Sequence, residues 1–204
     1  GRLLFLDLIF GLAKPEILSG SQDPYIHTIF YLSGKRALAF SDVRKFGKVL
    51  SASKGAFVNL ADIKNLGIDA LKIKLDELKS ALVNRRIQIK KALLDQKVIA
   101  GIGNIYADEI LFTAGVHPLK NANGLTTLEL KKILTAIKKI LTKAIKLRGT
   151  SMSDYKDIHG KLGNYYDVRL VYARSGEACP KCQTKIQRIK LSGRSSHFCG
   201  KCQK

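Results

Sequence analysis

Residues 179–202 read CPKCQTKIQRIKLSGRSSHFCGKC. Two C-x2-C pairs, Cys179 with Cys182 and Cys199 with Cys202, stand sixteen residues apart. Each pair forms a tight knuckle that aims two thiolates at one point, and two knuckles complete a tetrahedron around one Zn²⁺. Two disulfides would need an oxidising compartment, and the sequence shows no charged and then apolar leader with a cleavage site. A redox pair would need only one such motif. Between the knuckles, Lys185–Leu191 alternates, Ser192-Gly193 predicts a turn and Ser195–Phe198 returns. The expectation is a zinc-bound β-hairpin with Arg194 near its tip. His197 is read as a surface residue, because the cysteines already fill the metal site. Residues 175–204 carry seven Lys/Arg against one acid, Glu177, which suggests phosphate contact.

Upstream of the cysteines the chain divides. Leu3–Phe10 (LLFLDLIF), Tyr25–Leu32 and Arg36–Ser41 read as strands, with a hairpin turn at Ser33-Gly34 and a further strand near Lys48–Ser51. A chain that opens inside a strand reads as a fragment. After Gly67 the pattern turns helical: Leu71, Ile73, Leu75, Leu78 and Leu82 recur across 68–82, and Arg85–Asp95 reads as a basic helix. Gly101-Ile102-Gly103 feeds a helix over Asn104–Ala114, whose free N-terminal N–H groups suit an anion. Thr126–Glu129 is a capping-box match that opens a long helix. Its stripe is Leu130, Ile133, Leu134, Ile137, Leu141 and Ile145; six lysines between Lys131 and Lys146 lie mostly off it as a solvated face. Gly149–Tyr166 is a long polar loop, and Val168–Tyr172 reads as a strand leading to the cysteines.

The balance of 36 Lys+Arg against 16 Asp+Glu over 204 residues gives a net charge of +20. That excess points to a polyanion, most simply nucleic acid. A hydrophobic share of 46% excludes a wholly disordered chain, and no apolar run approaches the roughly 18 residues of a membrane span.

Taken in order, Asp42-Val43-Arg44-Lys45-Phe46-Gly47, Leu93-Leu94-Asp95-Gln96, Gly101 through Glu109 (GIGNIYADE), His117-Pro118, Arg148-Gly149-Thr150-Ser151, Val171-Tyr172-Ala173-Arg174 and the terminal Cys-Gln-Lys finger resemble the formamidopyrimidine-DNA glycosylase family, which includes endonuclease VIII-type relatives. The resemblance implies an α+β fold. It comprises the remainder of an N-terminal β-sandwich over 1–66, a helix–two-turn–helix DNA-binding domain with a lesion loop over 67–165, and a zinc-finger β-hairpin over 166–204. It implies one zinc per chain, a monomer with no membrane association, and a cytoplasmic, bacterial-type, nucleoid-associated setting. The partner would be double-stranded DNA holding an oxidised or abasic site. The reaction would be removal of oxidised purines (8-oxoguanine or formamidopyrimidines), followed by β,δ-elimination at the abasic site through a Schiff base.

The same resemblance assigns residues. Phe46 would be the apolar wedge that fills the gap left by the flipped base, with Arg44 reading the estranged base and Lys45 beside it. Asn104 and the N–H groups near Gly103 would grip phosphates, as would Arg194, which aligns with the family's functional finger arginine. Glu109 aligns with a carboxylate near the catalytic pocket, Lys90 with a helix lysine facing phosphate, and Lys161 with a basic residue of the lesion loop. Arg2 falls where a phosphate-binding lysine is expected. The family's N-terminal proline nucleophile and the following glutamate have no counterpart in residues 1–204. Two alternatives stay open from the residues: a zinc-dependent DNA- or lesion-binding module without chemistry, and an endonuclease VIII-type glycosylase for oxidised pyrimidines.

Overall fold

The computed structural model describes residues 9–13, 24–33, 36–42, 45, 47–51, 53, 56–151 and 161–204. The chain packs into two compact units, residues 1–51 with 144–168, and residues 52–143 with 169–204.

The first unit holds an antiparallel sheet in the order β1 (Ile9–Ala13), β3 (Arg36–Ser41), β2 (Ile26–Leu32). Ile9 pairs with Ser41, and Leu32 with Arg36 across the β2–β3 hairpin. Ala37, Ala39 and Phe40 of β3 are buried, as the central position requires. The expected strand near Lys48–Ser51 does not form; residues 47–51 have no regular structure. The expected strand at Leu3–Phe10 lies mostly outside the described residues. In the same unit the base of the long polar loop is tightly closed. Asn164 N–H donates to the Leu147 carbonyl (2.9 Å) and Tyr165 N–H to that of Gly149 (3.0 Å). A Cβ on Gly163 would lie 2.4 Å from the Gly149 carbonyl oxygen, so only glycine permits this approach.

The second unit is helical, with the hairpin attached. A four-residue helix, α1 (Ala61–Lys64), precedes β4 (Ile68–Asp69), which pairs in parallel with β5 (Ile99–Ala100). The helix expected over 68–82 is confined to α2 (Leu75–Leu82). Two local features delay it. Asp69 Oδ1 accepts the Leu71 N–H (2.9 Å) and makes a turn, and Glu77 accepts the Lys74 N–H (2.8 Å) to fix the true N-terminus. The helix expected over 85–95 is likewise shortened to α3 (Ile89–Leu94). The Ile87 carbonyl accepts from Ala122 N–H and the Arg85 carbonyl from Asn123 N–H, which keeps this stretch extended.

Helix α4 (Asn104–Ala114) is buried along most of its length and stops at Gly115, whose φ of 72° is left-handed. Helix α5 (Thr127–Lys146) opens as expected: Thr126 N–H donates to Glu129 Oε2 (2.9 Å), and Glu129 N–H to Thr126 Oγ1 (3.2 Å). Its buried stripe is Leu130, Ile133, Ala136, Ile137, Ile140, Leu141 and Ala144. Ile145, expected on that stripe, is 64% exposed, because Ile140 and Ala144 continue the 133/137 face at helical spacing. The lysines from 131 to 146 are all exposed. No helix among the described residues is long and apolar enough to cross a membrane.

β6 (Gln187–Leu191) and β7 (Arg194–Phe198) form the expected hairpin. Ser192 and Gly193 both have positive φ (48° and 78°), the two-residue geometry whose twist matches that of the strands. The strand expected at Val168–Tyr172 is absent: a 3-10 turn spans Tyr165–Val168, and the N–H groups of residues 170–172 go to a carboxylate instead of a sheet.

Candidate nucleic-acid interface and metal centre

The four cysteine sulfurs converge, all lying within 4.8 Å of one another. Cys179 Sγ is 3.9 Å from Cys202 Sγ, and Cys182 Sγ 3.5 Å from Cys199 Sγ. Tetrahedral zinc with bonds of about 2.3 Å would set sulfurs about 3.8 Å apart, so the cage fits that ion. The thiols compete for protons. Hydrogen bonds from Thr184 pull Cys182 down to about 6, while the contact with Cys182, together with burial, pushes Cys202 up to about 12. A dication resolves this by taking four thiolates at once. No other group of three or more metal-ligating side chains occurs among the described residues.

The metal knuckles are packed onto α4. Phe112, Val171, Cys179, Ile186 and Cys199 form one buried cluster. Lys181 Nζ donates to the Phe112 carbonyl (3.1 Å) and lies 4.5 Å from the centre of its ring. The chain end completes the attachment. Gln203 accepts the Cys199 N–H (2.8 Å) and donates to the Val116 carbonyl (2.9 Å). His117 N–H donates to the Lys204 carbonyl (2.9 Å).

The glycine turn is braced from one side chain. Gln96 Oε1 accepts the Gly101 N–H (2.8 Å), and Gln96 Nε2 donates to the Ile102 carbonyl (2.9 Å). Ile102 is buried while Gly101 and Gly103 are exposed, so the turn is anchored by its middle residue and bare on either side. Gly103 is the N-cap of α4 with no side chain over the first turn, which leaves those N–H groups to an external acceptor.

Asn104, the first residue of α4, donates through Nδ2 to the Ser195 carbonyl (3.2 Å), and its Oδ1 is buried without a hydrogen-bond partner. Lys90 Nζ donates to the same carbonyl (2.8 Å). The glycine turn and β7 are therefore joined at Ser195, the residue after Arg194. Arg194 is exposed and borders a cleft of about 260 Å³ with Ile87, Lys91, Leu94, Asp95, Leu191 and Ser192. Lys90, expected to face phosphate, is instead 1% exposed and paired to Asp108 at 2.7 Å. Burial pushes its ammonium below the ordinary value against the pull of Asp108.

His197 is not the expected surface residue either. It is buried, with its N–H (2.9 Å) and Nδ1 (3.2 Å) on Asp108 and its ring 5.1 Å from that of Tyr172. The metal ligands do not decide its exposure; α4 covers the face of β7 that a free hairpin would show to water.

Glu109 is fully buried. Its Oε2 accepts the Leu170 N–H (2.8 Å), and Oε1 accepts those of Val171 (2.9 Å) and Tyr172 (3.0 Å). Three main-chain donors on one carboxylate replace the missing strand ladder. Glu109→Gln turns one acceptor into a donor facing N–H groups. The expected cost is about 2 kcal/mol of unfolding free energy, read by urea denaturation; an unchanged midpoint would show that these bonds do not hold the segment.

The remaining expected residues belong to the other unit of the chain. In the first unit, Asp42 Oδ2 accepts the Gly47 N–H (2.6 Å), and Lys45, at φ 54°, is exposed. Arg2, Arg44 and Phe46 lie outside the described residues. Lys161 is exposed beside the closed loop base. Ser195 and His197 have no site role in the sequence pattern, and Asp108 stands there undecided between a structural and a functional role. Only the adjacency of Asp108 to Glu109 in the helix motif hints at the latter.

Residues 66–156 match the formamidopyrimidine-DNA glycosylase H2TH domain, and residues 176–204 match the zinc finger found in FPG and IleRS. The formamidopyrimidine-DNA glycosylase of Listeria innocua is 43% identical over 182 residues, covering 88% of this chain and 67% of its own length. That of Desulforamulus reducens is 40% identical, covering 100% and 71%. Among solved structures, the MutM (Fpg) protein of Thermus thermophilus superposes with a TM-score of 0.84 at 32% identity, over 95% of this chain and 72% of that one. The Lactococcus lactis Fpg complex with DNA containing an abasic site gives 0.86 at 33%, over 96% and 71%.

Proposed function

The chain belongs to the formamidopyrimidine-DNA glycosylase family, and on that footing we propose that it is a base-excision-repair enzyme that grips duplex DNA at an oxidised purine or abasic site. The reaction is release of 8-oxoguanine or a formamidopyrimidine, followed by β,δ-elimination through a Schiff base. A purine's glycosidic bond is shielded in the stack, so the base must be extruded at a cost of a few kcal/mol. The described residues suit the gripping half of that task.

The observation that carries this reading is the shared Ser195 carbonyl. Asn104 and Lys90 both donate to it, so the glycine turn and the arginine hairpin present one continuous surface. In this reading Arg194 and Asn104, with the N–H groups after Gly103, hold phosphates flanking the damage. Asn104 leaves Ser195 to do so, and Lys90 keeps that carbonyl satisfied. Glu109 serves by positioning the 170–172 segment rather than by moving protons. Phe46 fills the gap in the stack, Arg44 contacts the estranged base with Lys45 beside it, and Lys161 and Arg2 approach the lesion and its phosphate. The working divisions are residues 1–66, 67–165 and 166–204, in a monomer acting at the nucleoid. Zinc, when bound, supplies structure to the hairpin and no chemistry.

Equilibrium titration of the chain with fluorescent duplexes tests the reading. Binding to an abasic site opposite cytosine should be at least about tenfold tighter than to the intact duplex, because extrusion is already complete there. Equal affinity for the two would overturn it.

A further inference from the structure

We infer that Asp108 is a positioning residue for DNA binding, which sets Arg194 against Asn104 by clasping two consecutive residues of β7 and, through Lys90, a third; this rests on the reading of Arg194 as a phosphate contact. Asp108 is 1% exposed. Its Oδ1 takes Lys90 Nζ (2.7 Å) and Ser196 Oγ (3.1 Å), and its Oδ2 takes the His197 N–H (2.9 Å) and Nδ1 (3.2 Å). Two contacts on each oxygen saturate an acceptor-only group. Lys90 extends the clasp to the Ser195 carbonyl. Residues 195, 196 and 197 are thus each held from α3 or α4.

The placement matters because the metal lies too far off to do this work. Cys199 is five residues beyond Arg194, about 17 Å along an extended strand. Zinc fixes that end of β7, whereas Asp108 holds it two residues from the arginine. A buried ion pair is weak evidence for stability, since apolar residues of similar volume often do as well. What it supplies is a fixed register, and here the register decides where the guanidinium points.

The experiment is a double-mutant cycle on the 204-residue chain with zinc bound, reading affinity for an abasic-site duplex and its salt slope. Arg194→Ala is the reference. Asp108→Asn should weaken binding about tenfold and flatten the slope by about one, and should add little further to Arg194→Ala. A second variant, Lys90→Met with Asp108→Leu, replaces the pair by apolar volume and should restore the melting temperature without restoring the slope. If Arg194→Ala leaves the slope unchanged, the phosphate reading fails and this inference with it. If Arg194→Ala flattens the slope while both Asp108 variants bind like the wild type, or lose affinity additively, the reading stands and the inference is overturned.

Discussion

Removing zinc is expected to unfold residues 175–204 and abolish tight binding to damaged duplex. A thirty-residue segment is too short to bury a core of its own, and below about 40 residues a metal or disulfide is ordinarily needed. Here the metal ligands are the core. Cys179 and Cys199 sit in the buried cluster with Phe112, Val171 and Ile186. Structural zinc contributes about 10–16 kcal/mol of apparent binding energy, comparable to the whole stability of a small domain. Loss of the hairpin also strips Asp108 of the Ser196 and His197 donors, leaving Lys90 as its partner in the interior. Cys179→Ser should therefore lower zinc content from one per chain to near zero, and affinity for an abasic duplex by at least about a hundredfold, measured by metal analysis and fluorescence anisotropy. Metal affinity should weaken as pH falls, because protons compete for the thiolates. Unchanged zinc content in Cys179→Ser would contradict the four-cysteine site.

Arg194→Ala should weaken binding in every sequence context by about the same factor, roughly tenfold, and flatten the salt slope by about one. The side chain is exposed and follows a two-residue turn, so truncation opens no cavity and should leave the unfolding free energy within about 0.5 kcal/mol of the wild type. A phosphate contact carries no base information, hence the uniform loss. A loss confined to one flanking sequence would instead indicate base-edge readout. An unaltered salt slope would remove Arg194 from the phosphate interface.

The parts of this molecule that were legible in the sequence are those fixed locally. Cysteine spacing gave the metal cage, Ser192-Gly193 the hairpin turn, Thr126 with Glu129 the start of α5, and the family motif the surroundings of Gly103 and Asn104. The errors share a cause, which is competition from groups distant in the chain. Arg85 and Ile87 stay extended because residues 122–123 claim their carbonyls. Leu170–Tyr172 looks like a strand by composition, but Glu109, more than sixty residues earlier, takes its N–H groups. His197 and Lys90 carry no local mark of burial; both are inside because Asp108 is there to meet them. Periodicity reports which face of an element is apolar, and it is silent on which carboxylate will find which donor.

The most direct test of the proposed grip replaces backbone phosphates one at a time by neutral methylphosphonates on both sides of an abasic site, and measures the affinity of the wild-type chain and of Arg194→Ala. The account predicts that wild-type affinity falls only at the few phosphates flanking the damage, and that Arg194→Ala becomes indifferent to neutralisation at one of them. Small, uniform losses along the whole duplex, identical in the two proteins, would show a diffuse basic surface in place of a damage-centred clamp.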